Sequence, residues 1–359
     1  MDFGIFYEIE VPKPWTDHSE SDAYQQVFAQ VELAEEVGFS HFWTVEHHFL
    51  TEFSHCSAPE VLYGAISQRT KTIRIGHGAV LLPFPYNHPI RVAERIATLD
   101  IVSGGRVEMG TARSISLIEL DGFGIPPEET RPRFLEALDL IATIWKNDGR
   151  IAYKGKYFTI PERTVVPRPV QKPHPPIWIA ATGEETHQLA GSLGCGVLSF
   201  TFLVSPEEMG RRLTVYKRAW DACATPIGVQ KHYGAATFTM VHCAETDKEA
   251  QANAAESILW YTRYAWDLII ELAKKSQAPS YAYTKQMYDI DINTITFDYL
   301  HQNDMVIVGS PETCIKKIKR YQENGMTQLL CFMQIYNIPH QKVMDSIRLF
   351  GKHVLPYFK

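Results

Sequence analysis

The run Val45-Glu46-His47-His48-Phe49 places one carboxylate and two imidazoles directly after the apolar strand signal Phe42-Trp43-Thr44. Histidine exchanges protons near neutral pH more readily than any other side chain, and a carboxylate beside it can hold it in one tautomer. Proton transfer is therefore the chemistry these residues suggest, with Glu46, His47 and His48 as its candidates. Successive side chains of a strand point to opposite faces. Unless the strand has already broken, one histidine should face a pocket while the other packs or orients a neighbour. A metal centre drawn from His41, Glu46, His47, His48 and His55 is the competing use, but neither an HxH strand pair nor an HExxH helix pair is present.

Two further segments suit an anionic oxygen. Thr111-Ala112-Arg113-Ser114 sets the rigid donor fork of an arginine just past an apolar strand, flanked by hydroxyls and a residue without bulk. Thr182-Gly183-Glu184-Glu185-Thr186 opens a helix whose free amides can bind phosphate. Plainer uses exist for both: an arginine paired on a rim, and a capping box of Thr182 with Glu185. Together they could clamp one phosphate from adjacent loops. Gly76-His77-Gly78-Ala79 lacks bulk where a flat ring could lie, or simply turns a tight corner.

Positioning such groups requires strands that end in loops. Apolar strand signals recur at residues 3–7, 42–45, 73–80, 107–110, 177–180, 196–199, 237–241 and 328–332. Helical stripes lie between them. One is capped by Ser21 or Asp22 and ended by Gly38, one opens at Pro59, and one is capped by Asn87. Another spans about 134–145; others centre near Leu213, Ala254 and Ile318, and the last runs over 343–350. Eight strands alternating with helices predict a (β/α)₈ barrel, with ligands at the carboxyl ends of its strands. An open doubly wound sheet is the runner-up, but no strand leads into a GxGxxG turn. The chain reads as one domain over 1–359, with an insertion at about 150–174 and a long, breaker-rich stretch at about 268–305 of the kind that forms mobile lids.

With 359 residues and a net charge of −6, the chain has an ample core and no basic surplus, so nucleic acid is not an expected partner. No apolar run is long enough for a bilayer and no secretory signal follows Met1-Asp2-Phe3-Gly4, so a cytoplasmic setting is expected. The six cysteines form no CxxC pair and are expected as reduced, mostly buried thiols.

The same residues carry a resemblance over nearly the whole chain. Asp2-Phe3-Gly4-Ile5-Phe6, Val45-Glu46-His47-His48-Phe49 with Thr51-Glu52-Phe53, and Leu82-Pro83 through His88-Pro89 are three of its carriers. Ser103-Gly104-Gly105-Arg106, Arg113, Val308-Gly309-Ser310-Pro311 and Val354-Leu355-Pro356-Tyr357-Phe358 complete it. In this order they resemble the bacterial luciferase-like flavin monooxygenases. The resemblance implies a TIM barrel that binds FMN, as FMNH₂, at the carboxyl ends of its strands. It implies His47 as the catalytic histidine with Glu46 beside it, Gly78-Ala79 as a non-prolyl cis peptide against the flavin, and Arg113 as the phosphate-binding arginine. Thr111 borders that arginine, and Thr182, Gly183 and Thr186 form the rest of the phosphate loop. Residues 268–305 resemble the mobile lid of the luciferase catalytic subunit. The noncatalytic subunit carries asparagine at the position of His47 and lacks the arginine, so this chain resembles the catalytic kind. Ala112 stands where the catalytic subunit has a cysteine, so neither light emission nor a long-chain aldehyde substrate carries over. The function implied is a two-component monooxygenase, a homodimer supplied by a separate flavin reductase, that uses dioxygen through a flavin hydroperoxide to oxidise a small organic substrate. A deazaflavin-dependent oxidoreductase of the same fold and a noncatalytic flavin-binding homologue are the alternatives.

Overall fold

The computed structural model describes residues 1–358. Eight parallel strands close into a barrel: β1 Asp2–Tyr7, β2 His41–Thr44, β3 Arg74–His77, β4 Val107–Ala112, β5 Ile177–Ala181, β6 Gly196–Phe200, β7 Ala235–Cys243 and β8 Gln328–Phe332. Each pairs with its successor and β8 returns to β1 in register Phe3↔Leu329, Ile5↔Cys331. All eight expected strands are present, and the barrel is the fold. Strands buried on both faces read as near-continuous apolar runs, which is why each stands out in the sequence.

The helices surround this barrel: α1 Ser19–Val37, α2 Pro59–Arg69, α3 Pro89–Ser103, α4 Leu117–Gly122, α5 Thr130–Lys146, α6 Glu184–Ser192, α7 Pro206–Ala222, α8 Asp247–Lys275, α9 Phe297–Gln302, α10 Pro311–Glu323 and α11 His340–His353. Gly38 ends α1 at φ 103°, a left-handed turn open to glycine. Arg106 of the Ser-Gly-Gly-Arg turn is a structural residue. Its guanidinium donates to the Ser103, Ile73 and Ser67 carbonyls at 2.7 Å and to Thr70 Oγ1 at 2.9 Å, tying two loops beneath the barrel.

Several expected boundaries move. Helix α1 begins before Ser21 and Asp22, and its N-cap position, His18, makes no side-chain cap. The third strand does not run to Val80. It stops at His77, the Gly78–Ala79 peptide is cis, and a two-residue strand, Val80–Leu81, resumes the pairing. His88, not Asn87, caps α3, its Nδ1 accepting from the Ile90 amide at 3.2 Å; Asn87 is drawn into the barrel instead. Residues 150–174 carry an antiparallel hairpin, Arg150–Lys154 with Thr159–Thr164. Helix α8 carries the chain to Lys275, and 3₁₀ turns over Pro279–Asp289 and Ile292–Thr294 lead to α9. The short helices α4 and α9 and a strand at Ile307–Gly309 beside β7 were not foreseen.

Two indoles fill the lower barrel. Trp43 and Trp178 meet edge to face with centroids 5.7 Å apart. Glycines make the room: a Cβ on Gly76 would lie 2.2 Å from the Trp43 ring, and one on Gly234 would lie 2.2 Å from the Trp178 ring. Above them Phe6, Phe238, Leu198 and Leu330 form the base of a cavity open at the carboxyl ends of the strands. All six cysteines are free thiols, five of them buried. Among the described residues no helix is long and apolar enough to cross a membrane.

Candidate active site

Strand β2 ends at Thr44, so Glu46, His47 and His48 lie on the loop beyond it rather than on alternating strand positions. The two histidines part company all the same. His47 lines the cavity, whereas His48 lies 3.4 Å from Glu46 through Nε2 and packs edge to face on Phe123 at 4.9 Å. The carboxylate that holds the His47 ring is not Glu46. Glu46 lines the cavity too, but its oxygens accept from the Leu81 amide and from Asn87 Nδ2, both at 2.8 Å. With those oxygens engaged at the Val80–Leu81 strand, Glu46 does not set the imidazole's tautomer.

That task falls to Glu119, which the sequence did not single out. Its fully buried carboxylate accepts from His47 Nδ1 at 2.9 Å, from the His48 amide at 2.8 Å and from Ser114 Oγ at 2.9 Å. Helix α4 presents it: Ser116 caps the helix by accepting from the Glu119 amide at 3.4 Å. Gly122 leaves room for the Phe49 ring, which would lie 2.3 Å from an added Cβ, so the helix docks on the histidine loop. Across the imidazole, Nε2 lies 3.6 Å from Oε2 of Glu8, just past the end of β1. Burial works against a charged His47, but the Glu119 carboxylate and its hydrogen bond, helped by Glu8, prevail and raise the ring to about 9. Burial lifts the Glu8 carboxyl to about 7, against the opposing pull of His47.

The far end of the cavity is cationic. Arg113 lines it, with Thr182 and Thr186 from the loop and first turn around α6. Its terminal nitrogens donate to Ser280 Oγ at 2.8 Å and to the Ser280 carbonyl at 2.7 Å, and its guanidinium lies 4.3 Å from the centroid of the Tyr281 ring. The Tyr281 hydroxyl reaches back to the Ser114 carbonyl at 2.8 Å. The 268–305 stretch thus sits on the cavity and holds the arginine that the sequence reserved for an anion.

Of the expected site residues, His47, Glu46, Gly78, Ala79, Arg113, Thr182 and Thr186 line this one cavity. Thr111 does not. Strand β4 runs two residues further than expected, and its alternation turns Ala112 to the cavity and Thr111 away, where the hydroxyl donates to the Trp178 carbonyl at 2.8 Å. Gly183 lies one step outside, as the N-cap position of α6 beneath the Tyr283 ring. Thr182 therefore does not cap that helix. The expected capping box with Glu185 is absent, and the Thr182 carbonyl accepts from Arg212 Nη1 at 2.6 Å instead.

The arrangement fits a flavin phosphate. A cation and two hydroxyls stand at one end, and small residues, Gly78, Ala79, Ala112 and Ala180, leave width along the walls. A proton-carrying imidazole closes the other end.

Residues 1–328 match the family model described as luciferase-like monooxygenase. The chain is 26% identical over 368 residues to the oxygenase component of a flavin-dependent trigonelline monooxygenase of Acinetobacter baylyi, covering 100% of this chain and 96% of that one. Its fold matches that of the oxygenating constituent of 3,6-diketocamphane monooxygenase from Pseudomonas putida, solved with FMN, at a TM-score of 0.79 and 22% identity over 99% and 98% of the two chains. An F420-dependent secondary alcohol dehydrogenase shares the fold at a TM-score of 0.72 and 19% identity over 100% and 99%. At those identities the two structures speak for the fold alone.

Proposed function

The chain belongs to the luciferase-like monooxygenase family, and on that premise we propose that it is the oxygenase component of a two-component system. It takes FMNH₂ from a separate reductase and uses dioxygen to oxidise a small organic substrate. The observation that carries this reading is the single cavity joining Arg113, Thr182 and Thr186 at one end to His47, backed by buried Glu119, at the other. When bound, reduced flavin supplies the electrons that activate dioxygen. This chain's residues bind, shield and move protons. Arg113 with Thr182 and Thr186 would hold the phosphate, and Gly78 and Ala79 would leave room for the ring. His47, fixed by Glu119 through Nδ1, presents Nε2 as the proton-carrying atom. Photoreduced FMN with purified protein, followed by an oxygen electrode and product analysis on carbonyl and amine compounds, tests the reading. Hydride transfer to F420 with no dioxygen consumption would replace it by the deazaflavin alternative.

Arg113→Ala is expected to weaken FMN binding by about 1.5–3 kcal/mol, the scale of a charge-assisted contact. The barrel should remain folded, because the residue stands at its mouth. Titration followed by flavin fluorescence checks this, and an unchanged Kd removes Arg113 from the phosphate site.

Residues 268–305 act in this reading as a lid on one functional barrel, since Ser280 and Tyr281 already cover Arg113. Replacing 279–289 by a short Gly-Ser linker should leave flavin bound but admit water. Hydrogen peroxide then displaces oxidised substrate as the main product, measured by peroxidase-coupled assay. Tight coupling of dioxygen use to product in that variant contradicts a lid. A homodimer belongs to the proposal too: α2 and α3 turn Val61, Ile101 and Val102 to solvent, an apolar face that a second copy would cover. Light scattering reads the mass.

A further inference from the structure

Glu8 has no part in the reading above. It lines the cavity, its side chain points inward in step with Gly4 and Phe6 along the first strand, and it is 4% exposed. Its Oε1 accepts from the Tyr261 hydroxyl at 3.3 Å, but its Oε2 is buried without any hydrogen-bond partner. A buried carboxylate oxygen left in that state is costly unless another group or a proton meets it. The polar atom facing it is Nε2 of His47, 3.6 Å away.

We propose that Glu8 is the second proton-carrying group of this site, exchanging one proton with His47 Nε2 at the cavity wall. The proposal deepens the reading of the cavity as a flavin site and rests on it. Geometry fixes the direction of traffic. Glu119, which also accepts from the His48 amide and Ser114, occupies Nδ1, so Nε2 is the only ring nitrogen free to exchange. In the exchange the Nε2–H bond breaks as an O–H bond forms on Glu8 Oε2. The pair passes from imidazolium and carboxylate to imidazole and carboxylic acid, and no electrons are transferred. A small rotation of either side chain closes the 3.6 Å gap to hydrogen-bond length. Either partner can then take a proton from, or give one to, a group in the cavity.

The surroundings favour sharing. Tyr261 from α8 donates to the carboxylate and Glu119 opposes its ionisation by like charge, while Glu10, its own carboxyl raised by burial and by the charge of Glu8, and the buried Cys56 thiol stand neutral nearby. Burial, partly offset by His47, leaves Glu8 titrating near 7, two steps of pH below the imidazole at about 9. The two groups face each other across 3.6 Å, so they titrate as a coupled pair from near neutral pH upward.

The test compares the parent with Glu8→Gln and Glu8→Asp, using FMN as the probe. In the parent, carboxyl ¹³C NMR should show one glutamate titrating near 7 and absent from Glu8→Gln, and ¹⁵N NMR should show the His47 ring losing its proton at lower pH once Glu8 is neutral. Stopped-flow reoxidation of photoreduced FMN by dioxygen should carry a pH step near 7 in the parent, none in Glu8→Gln, and a restored one in Glu8→Asp. FMN affinity should stay within about twofold in both variants, which separates proton handling from binding. A glutamate at Glu8 that titrates in the ordinary carboxyl range, or a reoxidation step that survives Glu8→Gln, overturns the assignment while leaving the flavin reading intact. Failure of the parent to bind FMN overturns both.

Discussion

Replacing His47 with alanine is expected to slow turnover by about 10²–10⁴, the usual worth of a positioned acid–base group, while FMN still binds. The phosphate end of the cavity is remote from the change, so a titration with FMN should give the parent Kd. His48→Ala should act through packing on Phe123, with a smaller loss. The pH profile sharpens the prediction. His47 holds its proton to about 9 in the folded chain, above the 6.5 of the free side chain. A raised value means that the folded state binds the proton more tightly. The stabilisation from its carboxylate partners is therefore complete below 6.5 and is lost as pH rises through about 9. Turnover that draws on this proton should follow the same direction, falling above about 9, and His47→Ala should lack that limb. Parent-like turnover in His47→Ala would remove the residue from catalysis.

Glu119 is expected to show the next largest effect, and its two natural substitutions should differ. Glu119→Ala leaves the imidazolium without its buried partner and strands the His48 amide and the Ser114 hydroxyl. Breaking a buried pair in this way costs about 3–5 kcal/mol of stability, visible as a lower denaturant midpoint. Glu119→Gln keeps the shape and an accepting oxygen but removes the charge. The charge is the chief force that raises His47 against burial, and a charge-assisted hydrogen bond is worth about 1.5–3 kcal/mol. At about 1.36 kcal/mol per pH unit, the alkaline limb of the rate profile should move down by about one to two units. A limb that stays in place in Glu119→Gln shows that another group sets the proton on His47.

The barrel was legible because its strands announce themselves. Each is a short apolar run bounded by turn residues, and eight of them alternating with helical stripes admit few other arrangements. His47 and Arg113 were legible as single residues placed just past such runs. Their partners were not. Glu119 sits 72 positions beyond His47 on a six-residue helix, too short to show a helical period, and the two meet only because the loop after β4 folds over the loop after β2. Glu46, adjacent in sequence, was the more visible acid, yet its backbone position turns it to Leu81 and Asn87. Glu8 left a signal that could have been followed. Gly4, Phe6 and Glu8 alternate with Ile5 and Tyr7, which places the acid on the inner face of β1 extended by one residue. Thr111 was misplaced for the opposite reason. Two residues expected in the loop belong to the strand, and one step of register separates a cavity residue from a buried one.

The paired indoles of Trp43 and Trp178 make the barrel a blind alley. Small residues at Gly4, Gly76, Gly196 and Gly234 let the two rings press into the strands, so the lower half is solid. Along the barrel axis nothing enters or leaves except by the mouth where Arg113 and Ser280 meet. Whatever occupies the deepest layer, over Phe6 and Leu330, must arrive before its neighbours and wait for them to depart. The floor thereby imposes a queue, and the order of visitors is written into the architecture before any side chain at the mouth exerts a preference.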